Sequence, residues 1–214
     1  MRTRIKVCGI TRPADARAAA EAGADAIGLV FYPPSPRYLS VERAVEIRDA
    51  LPAFVQTVAL FVNADASQVA QVLGRVKPAL LQFHGEETPQ FCSQFGVPYV
   101  KAYRVKSGVS IGVDLLEYLR AFSTAAAWLL DSFVEEYGGV GERFDWSLAP
   151  LGGQPGRERP LILSGGLEAG NVGEAIRRVR PWGVDVSTGV ESAKGIKDAG
   201  KIAAFVAEVR NADL

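Results

Sequence analysis

The pattern that most constrains this chain is an eightfold alternation of short runs, rich in β-branched and other apolar residues, with longer Ala-rich amphipathic segments. The runs are Ile5–Cys8, Ala26–Phe31, Gln56–Phe61, Leu80–Phe83, Tyr99–Tyr103, Ala127–Leu130, Leu161–Leu163 and Val184–Val186. Helical segments are expected between them, among them Pro13–Ala22, Val41–Ala50, Ala66–Arg75, Thr88–Gln94, Asn171–Arg180 and Lys197–Arg210. Several start after a Ser, Thr, Asp or Asn able to cap the first turn. Eight strands joined by crossover helices close into a (β/α)8 TIM barrel. An open doubly wound sheet is the rival architecture, but it uses fewer such units.

The chain has 214 residues, 48% of them hydrophobic, enough for one sizeable core. We therefore expect residues 1–214 to form a single barrel domain, since no low-complexity linker divides them. The stretch Gly152–Arg157 reads as a surface loop before the seventh strand.

Charge narrows the partners. With 24 Lys+Arg against 24 Asp+Glu, no field of one sign draws the molecule to nucleic acid or to an anionic membrane. The basic start Met1-Arg2-Thr3-Arg4 is followed by no apolar signal-peptide core, and no apolar run approaches the roughly 18 residues needed to span a bilayer. A cytoplasmic protein acting on a small molecule is expected, as a monomer or a homodimer. Cys8 and Cys92 make no disulfide framework in a chain of this length.

In a barrel the active site lies at the C-terminal ends of the strands, so the residues closing each run carry the chemistry. Cys8 closes the first run; a buried apolar thiol and a reactive one both fit there. Cys92, between Phe91 and Phe95 in a helical segment, reads as core. Arg37 follows the second run in the stiff segment Pro33-Pro34-Ser35-Pro36, where its guanidinium can grip a carboxylate or phosphate, or simply face solvent. His84, the single histidine, closes the fourth run and suits acid–base work or the orienting of a loop. Without clustered His, Cys or Glu, no metal site is expected.

Asp131 follows Trp128-Leu129-Leu130, and partial burial at an apolar mouth would raise its pKa toward that of a general acid. An N-cap or loop-bracing aspartate is the alternative. The glycine-rich connection Glu135–Arg143 can close over a substrate as a lid. Ser164-Gly165-Gly166 ends the seventh run, and Asp185-Val186-Ser187-Thr188-Gly189 runs through the end of the eighth. Paired small-residue loops at these two strand ends are where barrels cradle phosphate on backbone N–H groups, which makes Gly165, Gly166, Ser187 and Gly189 candidate phosphate-binding residues.

These motifs together resemble one family. Lys6-Val7-Cys8-Gly9-Ile10-Thr11, Ser35-Pro36-Arg37, Leu81-Gln82-Phe83-His84-Gly85, Leu129-Leu130-Asp131, Phe144-Asp145-Trp146, Leu163-Ser164-Gly165-Gly166-Leu167 and Val184-Asp185-Val186-Ser187-Thr188-Gly189-Val190-Glu191 keep the order found in phosphoribosylanthranilate isomerases. The resemblance implies a cofactor-independent Amadori rearrangement in tryptophan biosynthesis, turning N-(5-phosphoribosyl)anthranilate into 1-(2-carboxyphenylamino)-1-deoxyribulose 5-phosphate. It implies Asp131 as general acid, Cys8 as general base, Arg37 as the anthranilate carboxylate clamp and His84 and Asp185 in supporting roles at the substrate. One loop departs from the pattern: many members read Gly-Gly-Thr-Gly-Lys where this chain has Gly138-Gly139-Val140-Gly141-Glu142. Three rivals stay open: indole-3-glycerol phosphate synthase, for which Lys101 would be the catalytic lysine; a histidine-pathway sugar isomerase; and a barrel that binds a sugar phosphate without turning it over.

Overall fold

A computed structural model describes residues 2–105, 113–132, 146, 149 and 158–214. Eight parallel strands close on themselves in chain order: β1 (Arg4–Val7), β2 (Ala26–Val30), β3 (Gln56–Phe61), β4 (Leu80–Phe83), β5 (Tyr99–Val105), β6 (Ala127–Ser132), β7 (Leu161–Leu163) and β8 (Gly183–Val186). The pairing of β8 with β1 completes the ring and excludes the open sheet. Helices α1 (Pro13–Ala22), α2 (Val41–Asp49), α3 (Ala66–Val76), α4 (Pro89–Ser93), α5 (Val113–Ala121), α6 (Ala169–Val179) and α7 (Ala199–Ala212) lie between or after the strands.

Local chemistry sets the helix starts. Ser40, Asp65, Thr88 and Asp198 accept hydrogen bonds from backbone N–H groups three residues on, satisfying donors the first turn leaves open. The expected helix Lys197–Arg210 begins instead at Ala199, because Lys197 ends a small hairpin, β9 (Glu191–Ala193) with β10 (Ile196–Lys197). Helix α5 escaped the sequence pattern. The lid segment Glu135–Arg143, including Val140 and Glu142, lies outside the described residues, as do Phe144, Asp145 and the stretch Gly152–Arg157. Among the described residues no helix is long and apolar enough to cross a membrane.

Strand alternation sorts each run into two sets. Ile5 and Val7, Leu81 and Phe83, Trp128 and Leu130, and Val184 and Val186 all join the large core between barrel and helices. Phe31 stacks on Phe61 there with ring centroids 5.5 Å apart, and Phe83 packs tilted against Phe61 at 6.1 Å. The residues between them face the barrel axis, where Val100, Ala102, Ala127, Leu129 and Ile162 form a second, smaller cluster. The same parity carries Lys6, Cys8, Gln82, His84, Asp131 and Asp185 to the inner surface.

Candidate active site

Eight of the nine residues singled out in the sequence line one pocket at the C-terminal mouth: Cys8, Arg37, His84, Asp131, Gly165, Gly166, Asp185 and Ser187. Cys8 stands just past β1, and its N–H donates to the Val186 carbonyl at 2.8 Å. Around its thiol lie Val30, Leu60 and Val62, with Tyr32 packed against them. Burial pushes the Cys8 thiol above its ordinary pKa, while the nearby Lys6 ammonium pulls the other way.

Lys6 comes two residues earlier on the same face, and strand register sets it beside Asp185. Its Nζ donates to both carboxylate oxygens of Asp185 at 2.9 Å, and both side chains are buried. Burial opposes the charge of Lys6, but Asp185 and Cys8 outweigh it and push its pKa up to about 12. Burial pushes the Asp185 carboxyl up in its turn, against Lys6. The doubly hydrogen-bonded ammonium decides the pair, which we read as ionised.

Asp131 lies within β6 rather than after it, because the strand continues to Ser132. Its Oδ1 accepts from the Ser132 N–H at 2.9 Å, and its Oδ2 stands 3.1 Å from Nε2 of His84. The other ring nitrogen, Nδ1, lies 3.1 Å from Nε2 of Gln82. An amide nitrogen only donates, so this placement makes Nδ1 the acceptor and puts the ring proton on Nε2, facing Asp131. His84 therefore links a buried amide to the carboxyl group.

Arg37 is 4% exposed, not solvated. Its Nε and one Nη nitrogen donate to the two carboxylate oxygens of Glu191 at 2.7 and 2.8 Å, leaving Nη1 outside this fork. Lys197 donates to Glu191 at 2.8 Å and to the Ser187 carbonyl at 3.0 Å. Burial opposes the charge of Glu191, but the hydrogen bonds from Arg37 and Lys197 hold its carboxyl below the ordinary value.

The loop after β7 turns at Gly165 and Gly166, whose φ angles of 87° and 62° are left-handed conformations that side chains resist. Asn171 braces the turn, its amide nitrogen donating to the Gly166 carbonyl at 2.9 Å. Gly189 does not line the pocket. It sits in a 3₁₀ turn (Thr188–Val190), where a Cβ would run into the Leu167 carbonyl, so it lets the two loops approach.

Three contributors escaped sequence reading. Lys6 was hidden as an ordinary strand residue, although its place two before Cys8 on one face was a usable signal. Glu191 ends the Val184–Glu191 motif, where nothing local marks it as the partner of Arg37, 154 positions away. Gly28 lies within β2, where a Cβ would stand 2.6 Å from the Cys8 sulfur and 3.1 Å from Lys6 Nζ. Lys101, the lysine a synthase would need, faces the helix layer instead. It is fully buried, donates to Glu87 at 2.8 Å and to the Gly85 carbonyl, and lies 5.3 Å from the Phe122 ring centroid. Among the described residues no group of three or more His, Cys, Asp or Glu side chains could hold a metal ion.

A closed parallel barrel with its polar pocket at the C-terminal mouth defines a (β/α)8-barrel enzyme. A family model described as N-(5'-phosphoribosyl)anthranilate (PRA) isomerase matches residues 5–208. The chain belongs to this family. N-(5'-phosphoribosyl)anthranilate isomerase of Dechloromonas aromatica is 55% identical, covering 100% of this chain and 99% of that protein. Its counterpart in Methylibium petroleiphilum is 53% identical over 100% of this chain and 96% of its own. The crystal structure of the Thermotoga maritima phosphoribosyl anthranilate isomerase superposes with a TM-score of 0.86 at 42% identity, covering 98% of this chain and 99% of that one. Another, solved in complex with reduced 1-(o-carboxyphenylamino)-1-deoxyribulose 5-phosphate, gives 0.83 at 38% identity with the same coverage.

Proposed function

We propose that the protein converts N-(5'-phosphoribosyl)anthranilate to 1-(2-carboxyphenylamino)-1-deoxyribulose 5-phosphate, the Amadori isomerisation of L-tryptophan biosynthesis. The observation that carries this reading is the presence of a thiol, a histidine-linked carboxyl group, a buried arginine and a left-handed glycine turn in one pocket. A related solved structure holds a reduced form of that product, which supports the same substrate class here.

In this reading Asp131 protonates the ribose ring oxygen, the C1–O bond breaks, and the anilino nitrogen lone pair forms a Schiff base. Cys8 then takes the proton from C2, and the electron pair flows to the iminium nitrogen, giving an enolamine. Loss of the C2 hydroxyl proton and protonation at C1 yield the ketose. The iminium is its own electron sink, so the chemistry needs no cofactor. A cation arriving beside a buried thiol also favours the thiolate, which offsets the effect of burial on Cys8.

Nη1 of Arg37 would take the anthranilate carboxylate, since Glu191 occupies the other side of the fork. The phosphate would sit on Gly165, Gly166 and Ser187, with Gly189 holding the loops together. His84 and Asp185 would support the sugar. We propose a single catalytic barrel acting in the cytoplasm, as a monomer or a homodimer; the Thermotoga maritima relative is described as dimeric, with monomers generated from it.

The test follows phosphoribosylanthranilate, made in place from anthranilate and phosphoribosyl pyrophosphate, by its fluorescence in the presence of purified protein. Decay well above spontaneous hydrolysis, with the ketose as product, is expected. No acceleration by folded protein would overturn the reading.

A further inference from the structure

Cys8 is a buried thiol asked to act as a base, and several charged groups surround it. Lys6 approaches from the same strand, Asp185 from β8, Lys197 from β10 and Arg37 from the loop after β2, while Tyr32 lines the pocket beside it. His84 and Asp131 act one step removed, through Asp185. Of these groups, Lys6 has a geometry aimed at the thiol. It shares the inner face of β1 with Cys8, and the two end groups meet over the one place on β2 without a side chain, Gly28.

We infer that the Lys6–Asp185 pair sets the ionisation of Cys8, the Lys6 ammonium holding the thiolate and Asp185 limiting how far it does so. The inference rests on reading Cys8 as the base, but its physical content is separate, since it concerns the ligand-free enzyme. A buried ammonium within hydrogen-bonding reach lowers the cost of a neighbouring anion. Here the same ammonium serves two acids: two N–H groups are committed to Asp185 at 2.9 Å each, while the Cys8 sulfur stands beside it over Gly28. Every increment of negative charge on Asp185 weakens the hold on the thiolate. Lys6 is thus a positioning residue in the electrostatic sense, and Asp185 tunes it.

This arrangement predicts shifts of opposite sign. In a Cys92→Ala background, which leaves one thiol, the rate of Cys8 alkylation by iodoacetamide is measured against pH, with thiolate ultraviolet absorbance as a second readout. Lys6→Met is expected to raise the midpoint by about one pH unit or more, and Asp185→Asn to lower it. The low-pH limb of kcat/KM should move with the midpoint in each variant that retains activity. Lys6→Met leaves Asp185 buried without its partner, so a folding failure is covered by the double variant Lys6→Met/Asp185→Asn, which buries no orphan charge. Its midpoint should lie at least about one pH unit above that of Asp185→Asn alone. Unmoved midpoints, shifts of the same sign in the two single variants, or equal midpoints in the double and Asp185→Asn proteins would overturn the inference. Full turnover in Cys8→Ser would instead remove the base assignment and leave the titration result standing.

Discussion

Gly28 and Cys8 face each other across the pairing of β1 with β2, so close that a methyl group on Gly28 would stand 2.6 Å from the thiol sulfur. Real Cβ atoms do not approach sulfur so closely, and the Cys8 Cα, 3.0 Å from the same point, cannot move aside without shifting β1. The missing side chain is the space in which the thiol sits. Gly28→Ala should therefore fold, with its circular dichroism spectrum kept, yet lose about tenfold to a hundredfold in kcat as the thiol is displaced. Unchanged kcat would show that the strand relaxes around the methyl group.

Cys8→Ser and Asp131→Asn should each lower kcat at least about a hundredfold, the usual cost of losing a positioned base or acid. Serine keeps the shape but not the acidity of the thiol; asparagine keeps the contact to His84 but has no proton of carboxylic acidity to give. Affinity for the reduced product analogue, measured by calorimetry, should change little. Near-normal turnover would remove the residue concerned from its role.

Arg37→Ala should act mainly on KM. Its guanidinium is built into a wall by Glu191, so its removal takes away the proposed carboxylate contact and leaves Lys197 as the remaining charged partner of Glu191. A rise in KM of about tenfold or more with a smaller change in kcat is expected from steady-state kinetics, since binding to a part of the substrate that does not react contributes equally before and in the transition state. An unchanged KM would argue against the clamp.

Glu191 also makes a prediction for acid stability. Its folded carboxyl ionises below the ordinary glutamate value, so it stabilises the fold above that value and the contribution disappears as pH falls through the folded value. Urea unfolding midpoints should thus decline on acidification below about pH 4.5. Glu191→Gln should be less stable at neutral pH, where Arg37 and Lys197 lose their counter-charge, and should show a shallower decline. Parallel curves for the two proteins would exclude Glu191 as the titrating group.

The strand runs were legible because each must present apolar side chains to the helices on alternate positions, and that alternation is written locally. It also carried Cys8, His84, Asp131 and Asp185 to one surface, since each lies an even number of steps from an inward neighbour on its own strand. Helix caps were equally local: Thr88 and Asp198 sit where a first turn needs an acceptor. The boundary at Lys197 was misread because Nζ contacts with Glu191 and Ser187 hold that residue in a hairpin, which helical spacing cannot reveal.

The sequence by itself determined the number and order of the units, the inward face of each strand, and the small-residue turns after β7 and β8. Closure of β8 onto β1 decided the rest. It put Lys6 against Asp185 across 179 positions, and the folding of the loops over the mouth put Arg37 against Glu191 across 154. It also turned Lys101 from a candidate active-site lysine into a buried partner of Glu87. Charge pairs of this kind depend on distance in space, and distance along the chain carries no record of it until the barrel closes.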